Sequence, residues 1–156
     1  MGRNGRHDRR SDRRPAVPAR GGDGVIVDSH THLGSCEGET QQLVDEALEA
    51  GVTRIVTIGC GERSSMQAIE FCEQFEQVYA AIGVHPNDAD SWRRADEEWI
   101  GELAQHPKVV AIGECGLDYF RDRARPESQH KAFITQIGLA RELGLPVMVH
   151  TREADD

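Results

Sequence analysis

The stretch Val109-Val110-Ala111-Ile112-Gly113-Glu114-Cys115-Gly116-Leu117-Asp118 decides how this chain is read. Its first four residues are apolar and rich in β-branched side chains, the pattern of a strand buried on both faces. A carboxylate follows almost at once. Glu114 at the end of a buried run is costly unless it is paired or bound to a cation. Gly113 and Gly116 beside it leave room for close approach of another backbone. Taken alone, Glu114 is equally well read as a solvated loop acid.

Outward from this stretch the pattern repeats. Short apolar runs rich in Val and Ile occur at Val25–Ser29, Arg54–Ile58, Val78–Ile82 and Pro146–Val149. Amphipathic segments separate them. Gln41–Ala50 carries Leu43, Val44, Ala47 and Leu48 on one stripe, with Gly51 as a terminating cap. Ser64 and Gln67 form a capping-box pattern that opens a second helix running to about Phe75. Ala95–Gln105 stops before Pro107. A fourth helix begins near Pro126, with Phe133, Ile137 and Ala140 on its buried face, and ends at Gly144-Leu145-Pro146. The order β-α-β-α-β-α-β-α-β predicts a parallel α/β sheet. Periodicity does not separate an open doubly wound sheet from a closed barrel, although the lack of GxGxxG after the first strand counts against dinucleotide binding.

The 156 residues suffice for one domain with a real core, residues 25–156. There is no apolar run long enough to span a bilayer and no secretory h-region at the N-terminus. The four cysteines show no CxxC spacing, so free thiols in a cytoplasmic setting are expected. Residues 1–24 hold seven Arg against three Asp and almost no apolar side chains, the composition of a disordered tail. The remainder holds 11 Lys and Arg against 24 Asp and Glu. So acidic a body lacks the basic footprint typical of nucleic-acid binders, and a phosphodiester substrate would need bound cations to offset the field.

The chemistry-bearing residues sit at equivalent places. The first run ends in Asp28-Ser29-His30-Thr31-His32, where i, i+2 spacing turns both imidazoles to one side and Asp28 with them. Two converging imidazoles suit a borderline divalent ion, although a lone HxH is also two polar loop residues. His85 follows the third run, Glu114 the fourth and His150 the fifth. In a parallel sheet these ends share one edge, where α/β active sites form. Cys115 is read as a packing residue.

Four blocks carry a resemblance to a known family. They are Val27-Asp28-Ser29-His30-Thr31-His32-Leu33, Ile82-Gly83-Val84-His85-Pro86, Ile112-Gly113-Glu114-Cys115-Gly116-Leu117-Asp118-Tyr119, and Pro146-Val147-Met148-Val149-His150-Thr151-Arg152-Glu153-Ala154-Asp155-Asp156. In order and spacing they resemble the TatD family of metal-dependent hydrolases, from about Val25 to the last residue. The resemblance implies a (β/α)8 TIM-type barrel, present here through about five strands, and two divalent ions (Zn, Mn or Mg). By it, His30 and His32 bind one ion, Glu114 bridges both as the catalytic carboxylate, and His150 binds the second. A further His and an Asp at later strand ends complete the family's site. A barrel of this kind needs about 250 residues, so the chain is expected to be the N-terminal portion of a longer protein.

The expected activity is a deoxyribonuclease or phosphodiesterase, with DNA or another phosphodiester as partner and no obligate protein partner. Arg152 and His85 are candidates to contact a phosphate oxygen, and Asp118 is read as a support for a ligand or as a turn former. Other hydrolases of the same scaffold, cleaving an amide, a lactone or an aminoacyl-tRNA ester, stay open, as does an inactive fragment.

Overall fold

A computed structural model describes residues 25–154. The tail expected at residues 1–24 lies outside them. Five strands, β1 (Ile26–Thr31), β2 (Val52–Ile58), β3 (Val78–Ile82), β4 (Val109–Asp118) and β5 (Val147–Arg152), alternate with four helices. These are α1 (Thr40–Glu49), α2 (Glu62–Gln74), α3 (Arg94–Leu103) and α4 (Pro126–Leu143), and short 3-10 turns cover Leu33–Ser35 and Pro86–Ser91. The strands are all parallel and lie in the order β1-β2-β3-β4-β5. A doubly wound sheet reverses its strand order at a switch point. None occurs among the described strands, so the sheet curls one way, as half of a barrel.

Two apolar layers flank the sheet. The outer one packs Ile55, Val78, Ala80, Ile82, Val109 and Ile112 against Val44, Phe71, Cys72, Trp99, Ile100 and Ala140 of the helices. The inner one is a thin floor of Val56, Ile58, Ala81 and Ala111, with Met148 beside it. Burial of the strands is not uniform. In β3, Val78, Ala80, Ala81 and Ile82 are fully buried, whereas β1 is exposed along most of its length. Among the described strands β1 and β5 each pair on one side only, which accounts for the open surface at Val27 and Val149.

Several details depart from expectation. Helix α2 starts at Glu62 with Gly61 ahead of it, two residues before the anticipated Ser64 box. Ser64 Oγ instead accepts the Cys60 N–H at 2.9 Å and donates to the Gly61 carbonyl at 3.1 Å, which fixes the loop after β2. The buried stripe of α4 is Gln129, Ala132, Gln136 and Ala140, not the Phe133/Ile137 face; Ile137 is exposed. The two glutamines take the inward positions because they satisfy loop backbones there, as described below.

Strands β4 and β5 also run further than their apolar segments, so Glu114, Asp118 and His150 are strand residues. Strand β4 is bulged. Between Ile112 and Cys115 it spends three residues where β5 spends two, from Val147 to Val149. Ala111 faces the inner floor and Ile112 the helices. Strict alternation would send Glu114 outward with Ile112; the extra residue reverses the parity and aims Glu114 inward. Gly113 and Gly116 have φ of +142° and +146°. A Cβ at either would collide with the carbonyl oxygen of Met148 or His150 on β5. No side chain is compatible with this edge-to-edge approach.

Candidate metal centre

The inward-facing strand ends converge on Glu114. Its carboxylate is nearly buried, and its two oxygens face opposite groups. Oε2 lies 3.6 Å from His30 Nε2 and 3.7 Å from His32 Nε2. Oε1 lies 2.7 Å from His150 Nδ1. The other nitrogen of His150 is 3.3 Å from Asp118 Oδ2. His85 stacks edge-on against His150 with ring centres 4.4 Å apart. Ligand atoms of His30, His32 and Glu114 all lie within 4.8 Å of one another, and so do those of His85, Asp118 and His150.

Proton counting shows what the first group lacks. His32 Nδ1 lies 3.3 Å from the Ile58 carbonyl, which only accepts, so a neutral ring carries its proton on Nδ1. The Nε2 lone pair then faces a carboxylate oxygen. That lone pair and the carboxylate oxygen, 3.7 Å apart, are reconciled by a proton or a metal cation between them, and with His30 alongside the donor set fits a divalent ion. The anchoring of the far ring nitrogen by a backbone carbonyl is the usual support of a ligating imidazole. His150 has a similar deficit. A neutral ring carries one proton and meets two carboxylates, so one contact is left facing a lone pair.

His85 differs. Its Nδ1 accepts the Asn87 N–H at 3.1 Å, which leaves Nε2 as the protonated nitrogen of a neutral ring. Burial pushes its pKa below the ordinary value and keeps the ring neutral, outweighing the attraction of Glu114. Such a ring offers an N–H donor rather than a ligand lone pair. Burial alone would raise the pKa of Glu114, but the His150 hydrogen bond and the surrounding imidazoles outweigh it and hold the carboxyl below the usual range. Asp118 follows the same pattern: its burial is outweighed by the Arg121 N–H and His150.

The structure thus brings His30, His32, Glu114, His150, His85 and Asp118 together. Asp28 is not among them. A bulge between Asp28 and Thr31 sets it opposite Ile55, on the outer side, and its carboxylate accepts the His30 backbone N–H at 3.1 Å rather than touching a ring. Arg152 lies at the rim with its guanidinium carbon 3.8 Å from the centre of the Phe120 ring. Cys115 is fully buried, its thiol pushed up to about 12 by burial and then by Glu114.

Sequence reasoning missed three residues. Cys60 Sγ, at the end of β2, lies 3.8 Å from both His32 Nδ1 and Glu114 Oε2. Its place after the second apolar run was the available signal. Gln136 Oε1 accepts the Val84 N–H at 2.8 Å while its Nε2 donates to the Val84 carbonyl at 3.1 Å. Gln129 repeats this on Asp118, accepting its N–H at 2.8 Å and donating to its carbonyl at 3.1 Å. Seven residues apart on α4, the two amides clamp the backbones next to His85 and at Asp118. Two glutamines on one helical face ahead of an Ala-rich packing stripe were the only hint.

Comparison with known proteins identifies the family. Residues 27–156 match the family described as TatD related DNase. The chain is 40% identical over 134 residues to an uncharacterized metal-dependent hydrolase, YabD, of Bacillus subtilis, covering 85% of this chain and 52% of that protein. It is 44% identical over 110 residues to the 3'-5' ssDNA/RNA exonuclease TatD of Escherichia coli K12, covering 70% of this chain and 42% of that protein. The crystal structure of YjjV, a TatD homolog from Escherichia coli K12, superimposes with a TM-score of 0.74 at 28% identity, over 82% of this chain and 51% of that one. The chain spans about half the length of the curated relatives it matches. With the match running through every strand and every inward-facing strand end, this chain belongs to the TatD-related DNase family.

Proposed function

We propose that this chain supplies the His30, His32, Glu114 and His150 ligands of a site for two divalent ions (Zn, Mn or Mg) in a hydrolase that cleaves phosphodiester bonds of nucleic acid. The observation that carries the reading is Glu114, which presents one oxygen to the His30/His32 pair and the other to His150. That disposition is what a bridging carboxylate needs. The nuclease activity named for the Escherichia coli relative supports the choice of substrate class.

Divalent ions held by His30, His32, Glu114 and His150 would supply Lewis acidity there. The protein's own groups do the rest. Glu114 sits as the bridging base, kept ionised by the imidazoles around it. Asp118, held by Gln129, orients the His150 ring from the side away from Glu114. His85 stands as a neutral donor whose Nε2–H is suited to a non-bridging phosphate oxygen. Arg152 at the rim contributes positive charge to the same phosphate group. Cations bound there would add to the positive charge that the arginines at the rim set against a body acidic in net.

The test uses the full chain. Calorimetric titration with Mn²⁺ is expected to show binding that Glu114→Gln weakens at least tenfold, with an unchanged circular-dichroism spectrum, and with loss of any Mn²⁺-dependent cleavage of a single-stranded oligonucleotide. Wild-type Mn²⁺ affinity in the variant overturns the bridging assignment.

A further inference from the structure

The chain has eight aromatic side chains, all within the described residues, and only two of them are exposed. Those two, Tyr119 and Phe120, are adjacent and directly follow Asp118 of the candidate metal centre. Phe120 is 53% exposed. A single exposed apolar side chain is ordinary in itself; what distinguishes Phe120 is what surrounds it. The Tyr119 hydroxyl is tied to His130 Nε2 at 2.8 Å, and the Tyr119 N–H to the Arg152 carbonyl at 3.0 Å, which fixes the turn. The Arg152 guanidinium carbon lies over one face of Phe120, 3.8 Å from the ring centre, while the residue keeps about half its surface exposed among the described residues.

Charge is concentrated at the same place. Only 11 basic residues occur in residues 25–156, against 24 acidic ones. Three of those 11, Arg121, Arg123 and Arg125, fall in the seven residues from Tyr119 to Arg125, and Arg152 makes a fourth at the same rim. Arg125 is engaged with Asp90 at 3.2 Å, while Arg121 and Arg123 are exposed in the loop. An aromatic ring interleaved with arginines, on an otherwise acidic surface, is the composition of a single-strand nucleic-acid platform. Its reach fits: two residues of chain span at most about 7 Å, so Phe120 sits within one nucleotide's breadth of Asp118.

We propose that the exposed surface of Phe120, backed by Arg152, is a stacking platform for an unpaired base of a single-stranded nucleic acid, with Arg121 and Arg123 beside its backbone phosphates. It seats the nucleotide adjoining the bond that lies over Glu114. This deepens the nuclease reading and rests on it for orientation only. Preference for single strands follows, because a base paired and stacked in a duplex has no face to offer.

The experiment measures fluorescence anisotropy of a labelled oligo-dT eight nucleotides long, in EDTA so that neither metal binding nor cleavage contributes. A second probe of the same length carries abasic sugars throughout. Phe120→Ala is expected to weaken oligo-dT binding roughly tenfold and to leave binding of the abasic probe unchanged. Phe120→Trp is expected to restore affinity and to show tryptophan quenching on addition of oligo-dT. The exposed position leaves folding unaffected, checked by circular dichroism. Equal affinity of wild type and Phe120→Ala for oligo-dT, equal affinity of wild type for the two probes, or no binding of oligo-dT by wild type overturns the proposal. Because no metal is present, failure of the Glu114 assignment leaves this outcome unaffected, and failure here leaves the Mn²⁺ titration intact.

Discussion

Replacing Gln136 with methionine isolates the contribution of one amide to the architecture of the site. The side chain is fully buried, and methionine has nearly its length and volume, so packing is conserved and no cavity opens. What is lost is the reciprocal pair with Val84, at 2.8 and 3.1 Å. Val84 is itself buried, so its N–H and C=O are left without those partners. Each stranded backbone group costs about 1–3 kcal/mol, which sets the loss of two at about 2–6 kcal/mol against a total of about 5–15 kcal/mol for a domain. With a urea slope of about 2 kcal/mol per molar, the unfolding midpoint drops by roughly 1–3 M. The assay is urea unfolding followed by far-ultraviolet circular dichroism. Gln105→Met is the control, since that amide makes one exposed bond, to the Gly101 carbonyl at 3.2 Å. A shift below about 0.3 M, or one equal to that of the control, refutes the clamp.

Two other outcomes follow from the charge states of the site. The folded pKa values of Glu114, Asp118 and His85 all lie below their ordinary values. The unfolded chain therefore binds more protons, and stability rises with pH in each window. In metal-free protein the His85 contribution is complete above its ordinary 6.5 and is lost as pH falls from there, while the carboxylate contributions are lost below about 4.5 and 3.8. Urea midpoints measured from pH 8 to pH 3 should fall in that sequence, with the upper step absent in His85→Asn; a midpoint that rises on acidification contradicts the assignment. The thiols of Cys60 and Cys115 are pushed up to about 12 and that of Cys72 to about 11, whereas Cys36 is exposed. Brief treatment with iodoacetamide at pH 7.5 should label Cys36 alone by mass spectrometry, and rapid labelling of Cys115 would show that its burial is wrong.

Much of this organisation was legible in the residues. Short Val- and Ile-rich runs separated by amphipathic segments specify parallel strands and helices, and Gly51 and Gly144 end their helices as expected. The convergence of His30, His32, Glu114 and His150 followed from their common position at strand ends. Where the reading stopped, long-range contacts were responsible. The parity of Glu114 and of Asp28 depends on bulges that exist only against a neighbouring strand. The inward face of α4 is polar because two loop backbones need partners there, so an apolar-stripe rule selects the wrong side. The Arg152–Phe120 stack joins residues from two strand ends, with no local pattern to announce it.

The exposed position of β1 has a mechanical side. Among the described strands it pairs on one side only and is the least buried, yet it carries His30 and leads directly into His32, while Glu114 sits in the buried β4. Fraying of an edge is cheap, and each excursion carries His30 and His32 away from their carboxylate partner. Apparent cation affinity is then scaled by the fraction of time the edge is docked, so an edge docked about half the time weakens it about twofold. In return, an ion gripped by both strands acts as a clasp: at a hundredfold excess over its dissociation constant it holds the edge down by about 2.7 kcal/mol. Within the described residues, occupancy of the proposed site would then be tied to the order of the first strand.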